Sequence, residues 1–264
     1  MLSGGGGGIR APGVIPPRLV SAARVHAALR ELPVRPLEAV TGGAALLVLA
    51  PHPDDETLGC GGLMAQAAAA GQSVHVLVLT DGTGSHPNSA AYPAPRLRRV
   101  REGESREAAR VLGVGPDRVA FLGLRDTRAP KAGPAAERAA AAIAAHAARC
   151  GARMVFSAWR HDPHGDHLAC SILARRAAAL AGAPLFEYPV WGWTLPGRRL
   201  LPADPISGFR LDISAQVAAK RRAIACHRSQ LGQVITDDPG GFTMAPGFVD
   251  LFTSPVETFV AVGG

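Results

Sequence analysis

A chain of 264 residues, 47% hydrophobic and 19% charged, can bury one large core or two small ones; it shows no repeat period or composition break that would argue for two. Its formal charge of +7 rests almost wholly on arginine, with only Lys131 and Lys220 as lysines, and no basic run is interleaved with aromatics, so nucleic-acid binding is not expected. No run reaches the roughly 18 apolar residues of a membrane span, no signal-peptide pattern opens the chain, and Cys60, Cys150, Cys170 and Cys226 form no C-x-x-C pair; a cytoplasmic protein without disulfides is expected.

The Gly- and Pro-rich start and the helical spacing over 19–32 predict an N-terminal arm (1–40) with a peripheral helix, ahead of one domain over 41–264. The apolar run at 45–50 reads as a central strand buried on both faces, and a helix over 57–70 follows it. Residues 73–80 form the next strand, and a Gly/Pro/Ser-rich loop leads to a long helix over 96–112. Strand 119–123, helix 133–151, strand 153–158, helix 168–182 and strand 184–190 continue the alternation. This order implies an α/β fold with a mainly parallel sheet and helices on both faces. "GFRLDI" at 208–213, a helix near 214–230 and a loop-rich tail complete the chain.

Two polar clusters interrupt this pattern, and each directly follows a strand. The first holds His52, Asp54, Asp55 and Glu56; the second holds His161, Asp162, His164, Asp166 and His167. Ligands of open parallel sheets bind beyond the carboxyl ends of the strands, so two distant clusters can share one rim. A mixed imidazole and carboxylate set suits Zn²⁺ or a similar divalent metal, and two histidines with one carboxylate would leave a position for water. The surplus carboxylates can act as general base or hold a histidine. Helix capping alone explains Asp54 or Asp55, but not His52, Glu56 or the second cluster. The "GCGG" at 59–62 lacks dinucleotide-turn spacing and reads as close helix packing, and no G-x-S-x-G elbow is present.

"PHPDDE" at 51–56 and "HGDH" at 164–167 resemble the two motifs of the PIG-L/LmbE-like zinc-dependent N-deacetylases. The resemblance extends in pattern to "TDG" at 80–82 and to Arg101 and Glu104. It implies a Rossmann-like fold, one zinc per chain, and removal of an acetyl group from an amine, often on a glucosamine unit. By motif position it implies His52, Asp55 and His167 as metal ligands and Asp54 as general base. His164 would stabilise the oxyanion or protonate the amine, with Asp166 in a histidine relay, and Glu56 would support the ligands. Arg101 would orient the site or substrate. The family's tyrosine before the second motif is replaced here by Asp162, which would contact substrate or hold a histidine; Trp191 is a further candidate substrate contact. A different metal-dependent hydrolase, or a sugar-binding module that kept the metal site, are the alternatives. The substrate is expected to be a small N-acetylated molecule.

Overall fold

The computed structural model describes residues 18–263, which leaves most of the glycine-rich start outside the described residues. The elements run β1 (Leu19–Ser21), α1 (Ala22–Arg30), β2 (Val34–Arg35), α2 (Leu37–Thr41), β3 (Leu46–Ala50) and α3 (Asp55–Ala69). They continue with β4 (Val74–Thr80), α4 (Ala94–Val111), β5 (Val119–Leu124), α5 (Gly133–Arg149), β6 (Met154–Ala158) and α6 (Gly165–Ala181). The C-terminal part adds β7 (Leu185–Tyr188), β8 (Leu200–Pro202), β9 (Gly208–Asp212), α7 (Val217–Ile224), α8 (Pro246–Asp250) and β10 (Val256–Ala261).

One sheet has the order β2-β9-β10-β7-β6-β3-β4-β5. From β7 to β5 every pairing is parallel, whereas β10 is antiparallel to both β7 and β9. The chain moves outward from β3 through β4 to β5, then returns to β6 on the other side of β3. Right-handed crossovers therefore place α3 and α4 on one face and α5 and α6 on the other. The reversal opens a crevice between β3 and β6, at the carboxyl ends of both, and the two polar clusters stand there.

Burial follows the sequence closely. All five β3 residues are buried, as are all five of β6. In α3, Gly59 and Gly62 let the helix approach closely, because a Cβ would run into the Tyr188 ring at Gly59 and into Ile213 at Gly62. The Tyr188 hydroxyl then donates to the Leu49 carbonyl at 2.7 Å, tying β7 to β3 beneath the site.

Two sequence expectations change. Residues 19–32 are not one helix: Leu19–Ser21 pair antiparallel with β8, and Ser21 caps α1 by accepting from the Arg24 N–H. The segment is also less peripheral than an arm, since β2 is the edge strand of the main sheet and His26 Nε2 meets the Gly192 carbonyl at 2.8 Å. The tail is not merely loop-rich, because β10 lies inside the sheet between β9 and β7. Its Glu257 is buried, paired with Lys220 at 2.7 Å and accepting the Gly62 and Leu63 N–H groups of α3. A charged residue in a short segment resembles loop composition until its buried partner is seen. Among the described residues no helix is long and apolar enough to cross a membrane.

Candidate active site

The β3 end supplies His52 through Glu56, with Asp55 and Glu56 in the first turn of α3. Asp54 sits just before the helix with φ 148°, a conformation that side-chain-bearing residues seldom hold without support. The support is visible. Its N–H donates to Glu56 Oε2 at 3.0 Å, and Arg101 Nη2 binds both the Pro53 carbonyl and Asp54 Oδ2, at 2.8 and 3.1 Å. Arg101 Nη1 donates to the Gly82 carbonyl at 2.8 Å. Arg101 is thus a buried clamp from α4 on the Asp54 loop as well as part of the cavity wall. Burial pushes the Asp54 carboxyl up to about 8, against the pull of Arg101. Burial likewise raises Glu56 to about 7, although backbone donors oppose it.

The β6 end supplies His164, Asp166 and His167 at the start of α6. His167 is fully buried. Its Nδ1 lies 2.8 Å from Asp162 Oδ2, which fixes the proton on Nδ1 and leaves Nε2 as the acceptor when the ring is neutral. Nε2 has no hydrogen-bond partner among the described residues, although Asp55 Oδ2 stands 3.3 Å away. The same Asp55 oxygen lies 3.1 Å from His52 Nδ1. In a tetrahedral zinc site with metal–ligand bonds of about 2.0–2.1 Å, ligand atoms are separated by about 3.3 Å, so these spacings fit such an ion. His52 Nε2 is held from the far side by Asp166 and Asp126, each at 3.2 Å, as carboxylates orient ligating imidazoles.

Two groupings are close enough to hold a cation: His52 with His164 and His167, which shares both imidazoles of the Asp55 set, and His52 with Asp126 and Asp166, a separate position. The separate position fits less well. The Asp126 and Asp166 carboxylates already accept N–H groups of Gly84, Thr127 and Ala129, whereas His167 Nε2 accepts nothing. The electrostatics agree with a cation at the first position. Burial opposes charge on His167, yet Asp55 and Asp162 lift it to about 9. Burial also opposes charge on Asp55, but His167 and His52 hold its carboxyl well below the usual range. Acids thus outnumber the permanent positive charge around these rings, which is the setting a divalent metal neutralises.

His164 is half-buried, with its ring edge-on to His52 at 4.7 Å between centroids. Burial and its two imidazole neighbours push it down to about 4. Its Nδ1 accepts the Asp166 N–H at 3.2 Å, so the neutral ring carries its proton on Nε2.

Several expected positions change on inspection. Of the two roles expected for Asp162, it takes the hold on a histidine: it is fully buried behind His167 and does not line the cavity, and its carboxylate also accepts the N–H groups of Val190, Trp191 and Gly192. The Asp166 carboxylate faces His52, Thr127 and Ala129, so its link to His164 runs through the backbone and not through a carboxylate relay. Trp191 does line the cavity, in contact with Phe248 and Phe242. Residues the sequence did not single out are Asp126, Gln230, Phe242, Met244 and Phe248, all of which border the same cavity of about 330 Å³. Asp126 stands alone in its loop and the others look like core or turn residues, so only the paired "TDG" segment, whose Asp81 accepts the Asp126 N–H, hinted at this side.

The family model for PIG-L, GlcNAc-PI de-N-acetylase, matches residues 47–178, which span both motifs. The chain is 30% identical to the 1D-myo-inositol 2-acetamido-2-deoxy-alpha-D-glucopyranoside deacetylase of Actinosynnema mirum, over 78% of this chain and 87% of that one. It is 27% identical to the diacetylchitobiose deacetylase of Thermococcus kodakarensis, over 70% and 69%. Among solved structures, a conserved protein of Thermus thermophilus superposes with a TM-score of 0.59 at 31% identity, covering 82% of this chain and 94% of that one. With half its length inside the family model and both strand-end motifs converging on one crevice, this chain belongs to the PIG-L family of de-N-acetylases, hydrolases of amide bonds.

Proposed function

We propose that this enzyme removes the acetyl group from an N-acetylated amino sugar at a zinc site held by His52, Asp55 and His167. The observation that carries the reading is His167, a buried imidazole fixed by Asp162 whose remaining nitrogen faces Asp55 without a hydrogen bond. The metal, when bound, would polarise the amide carbonyl and make a water acidic enough to attack it.

The chain's own groups account for the proton traffic. Asp54 takes a proton from the attacking water; its carboxylate lines the cavity beside His52 and Asp55, where a bound metal would hold that water. Arg101 and Glu56 keep that carboxylate at the cavity by holding its backbone. His164, neutral and protonated on Nε2, donates to the oxygen that becomes negative as water adds. Of the two roles considered for His164, oxyanion binding fits better, because a ring so reluctant to charge is a poor proton store. Asp54 then returns its proton to the departing nitrogen, giving acetate and a free amine. The similarity to the glucopyranoside and chitobiose deacetylases supports an amino-sugar substrate. A cytoplasmic location is part of this reading, supported by four free cysteines.

The test is metal analysis with amine release from N-acetylglucosamine. One zinc per chain and turnover abolished by Asp54→Asn are expected. A metal-free active protein, or full activity in that variant, would end the assignment.

A further inference from the structure

We propose that the substrate carries an apolar alkyl or aryl group next to its N-acylated sugar, seated on a wall built by the C-terminal segment. The inference rests on the deacetylase reading and narrows its substrate class. The cavity wall has two unlike parts. His52, Asp54, Asp126 and His164 line it together with a separate aromatic group of Trp191, Phe242 and Phe248, and Leu58 and Met244 add further apolar surface. Trp191 is not a lone platform for a sugar ring. Phe248 lies over it at 4.6 Å between centroids and Phe242 meets it edge-on at 5.6 Å, so the three form one continuous apolar surface.

This surface is built into the site. The Phe242 N–H donates to the Ser85 carbonyl and the Met244 N–H to the Gln230 carbonyl, both at 2.7 Å, and Ser85 and Gln230 themselves line the cavity. Trp191, Phe242 and Phe248 stay half-buried, with surface left for a ligand to cover. A polyol laid against it would find few partners, since the uncharged polar side chains beside it are Gln230 and Ser85, and the Ser85 hydroxyl is already engaged with Gly82 and His86. An alkyl or aryl group covers the same surface at no such cost and gains from leaving water. With about 330 Å³ available, one sugar and part of such a group fill the space. The group can be the aglycone or a longer N-acyl chain; both present the same chemistry to the wall.

The experiment compares N-acetylglucosamine, phenyl N-acetyl-β-glucosaminide and N-octanoylglucosamine by free-amine release from the metal-loaded enzyme. At least one apolar probe should exceed N-acetylglucosamine about tenfold or more in kcat/KM, and the one that gains identifies aglycone or acyl chain. In Phe248→Ser this ratio should fall toward one; if that variant does not fold, Phe242→Ser gives the same readout. Ratios within twofold for both probes, with N-acetylglucosamine turned over, overturn the inference and leave the deacetylase reading standing. Should no probe be cleaved, calorimetric binding of the same three to the Asp54→Asn protein decides. Tighter apolar binding by about tenfold supports the wall while the deacetylase reading fails, and equal or absent binding overturns the wall as well.

Discussion

The two ends of the cavity come from different parts of the chain and are stabilised by different physics. The charged end is set by the parallel strands β3 and β6, whose ends deliver charged groups at hydrogen-bonding distance to one crevice. The far end belongs to the segment after β7, where aromatic and sulfur side chains pack with little regular structure and no charge of their own. A charged centre demands sub-ångström placement and so is anchored on the sheet. An apolar wall needs only shape and can sit on loops. The difference teaches that reaction and substrate preference can vary almost independently in this fold.

The strongest way to break that separation is at Asp54. Replacement by Asn should lower kcat about a thousandfold while zinc stoichiometry and apolar-probe binding persist. Loss of zinc or of probe binding together with kcat would show that the ends are one mechanical unit. His227 probes the layer beneath. It is buried, with its Nε2 at 3.1 Å from the Thr57 hydroxyl, and burial followed by Arg101 pushes its ring down to about 3 from 6.5. The unfolded chain therefore binds a proton near pH 6.5 that the folded chain refuses. Stability contributed by the neutral ring is present above pH 6.5 and is lost as the pH falls toward 3, by a few kcal/mol at most. His227→Gln, compared with the parent by denaturant unfolding from pH 7 to 4, should show a flatter acid limb. Parallel curves would sink this account.

Asp162 joins the two ends and gives a smaller effect. One carboxylate oxygen holds His167, and the pair of oxygens also collects the N–H groups that shape the Trp191 turn. Asp162→Asn should weaken zinc about 10–100-fold in a metal-buffered titration. If the apolar-probe ratio shifts as well, coupling between the ends runs through this side chain.

The sequence made the first end readable and the second nearly opaque, for a physical reason. His52, Asp54, Asp55 and Glu56 crowd where an apolar strand should end, and the same anomaly recurs at His164–His167; buried charge is costly and marks itself. The alternation of strands and helices is likewise written in hydrophobic periodicity. By contrast Phe242, Met244 and Phe248 are indistinguishable by type from residues that fill a core, and of this wall only Trp191 stood out as a candidate contact. Asp162 left two readings open, a substrate contact or a hold on a histidine, and only the fold, which sets His167 in front of it, selects the second. β10 was hidden because the partners of its Glu257 lie at Lys220 and in α3, far away along the chain.

Gln230 offers the finest test, because it is the polar exception at the apolar end. It is fully buried yet borders the cavity. The Ser229 hydroxyl already donates to Glu104 at 2.6 Å, so it must accept from Gln230 Nε2 at 2.9 Å. That chain of donors fixes the amide; its Oε1 is closed to solvent and has no partner among the described residues, a cost that a substrate donor reaching it would relieve. A sugar hydroxyl or the amide N–H can fill that gap. Gln230→Leu should then raise KM for all three probes by about fivefold, the value of one neutral hydrogen bond, with kcat nearly unchanged. A uniform rise means that Gln230 reads the sugar they share. A rise confined to N-acetylglucosamine means that the apolar group, once seated, carries binding by itself, and the two ends of the cavity then act separately even within one substrate.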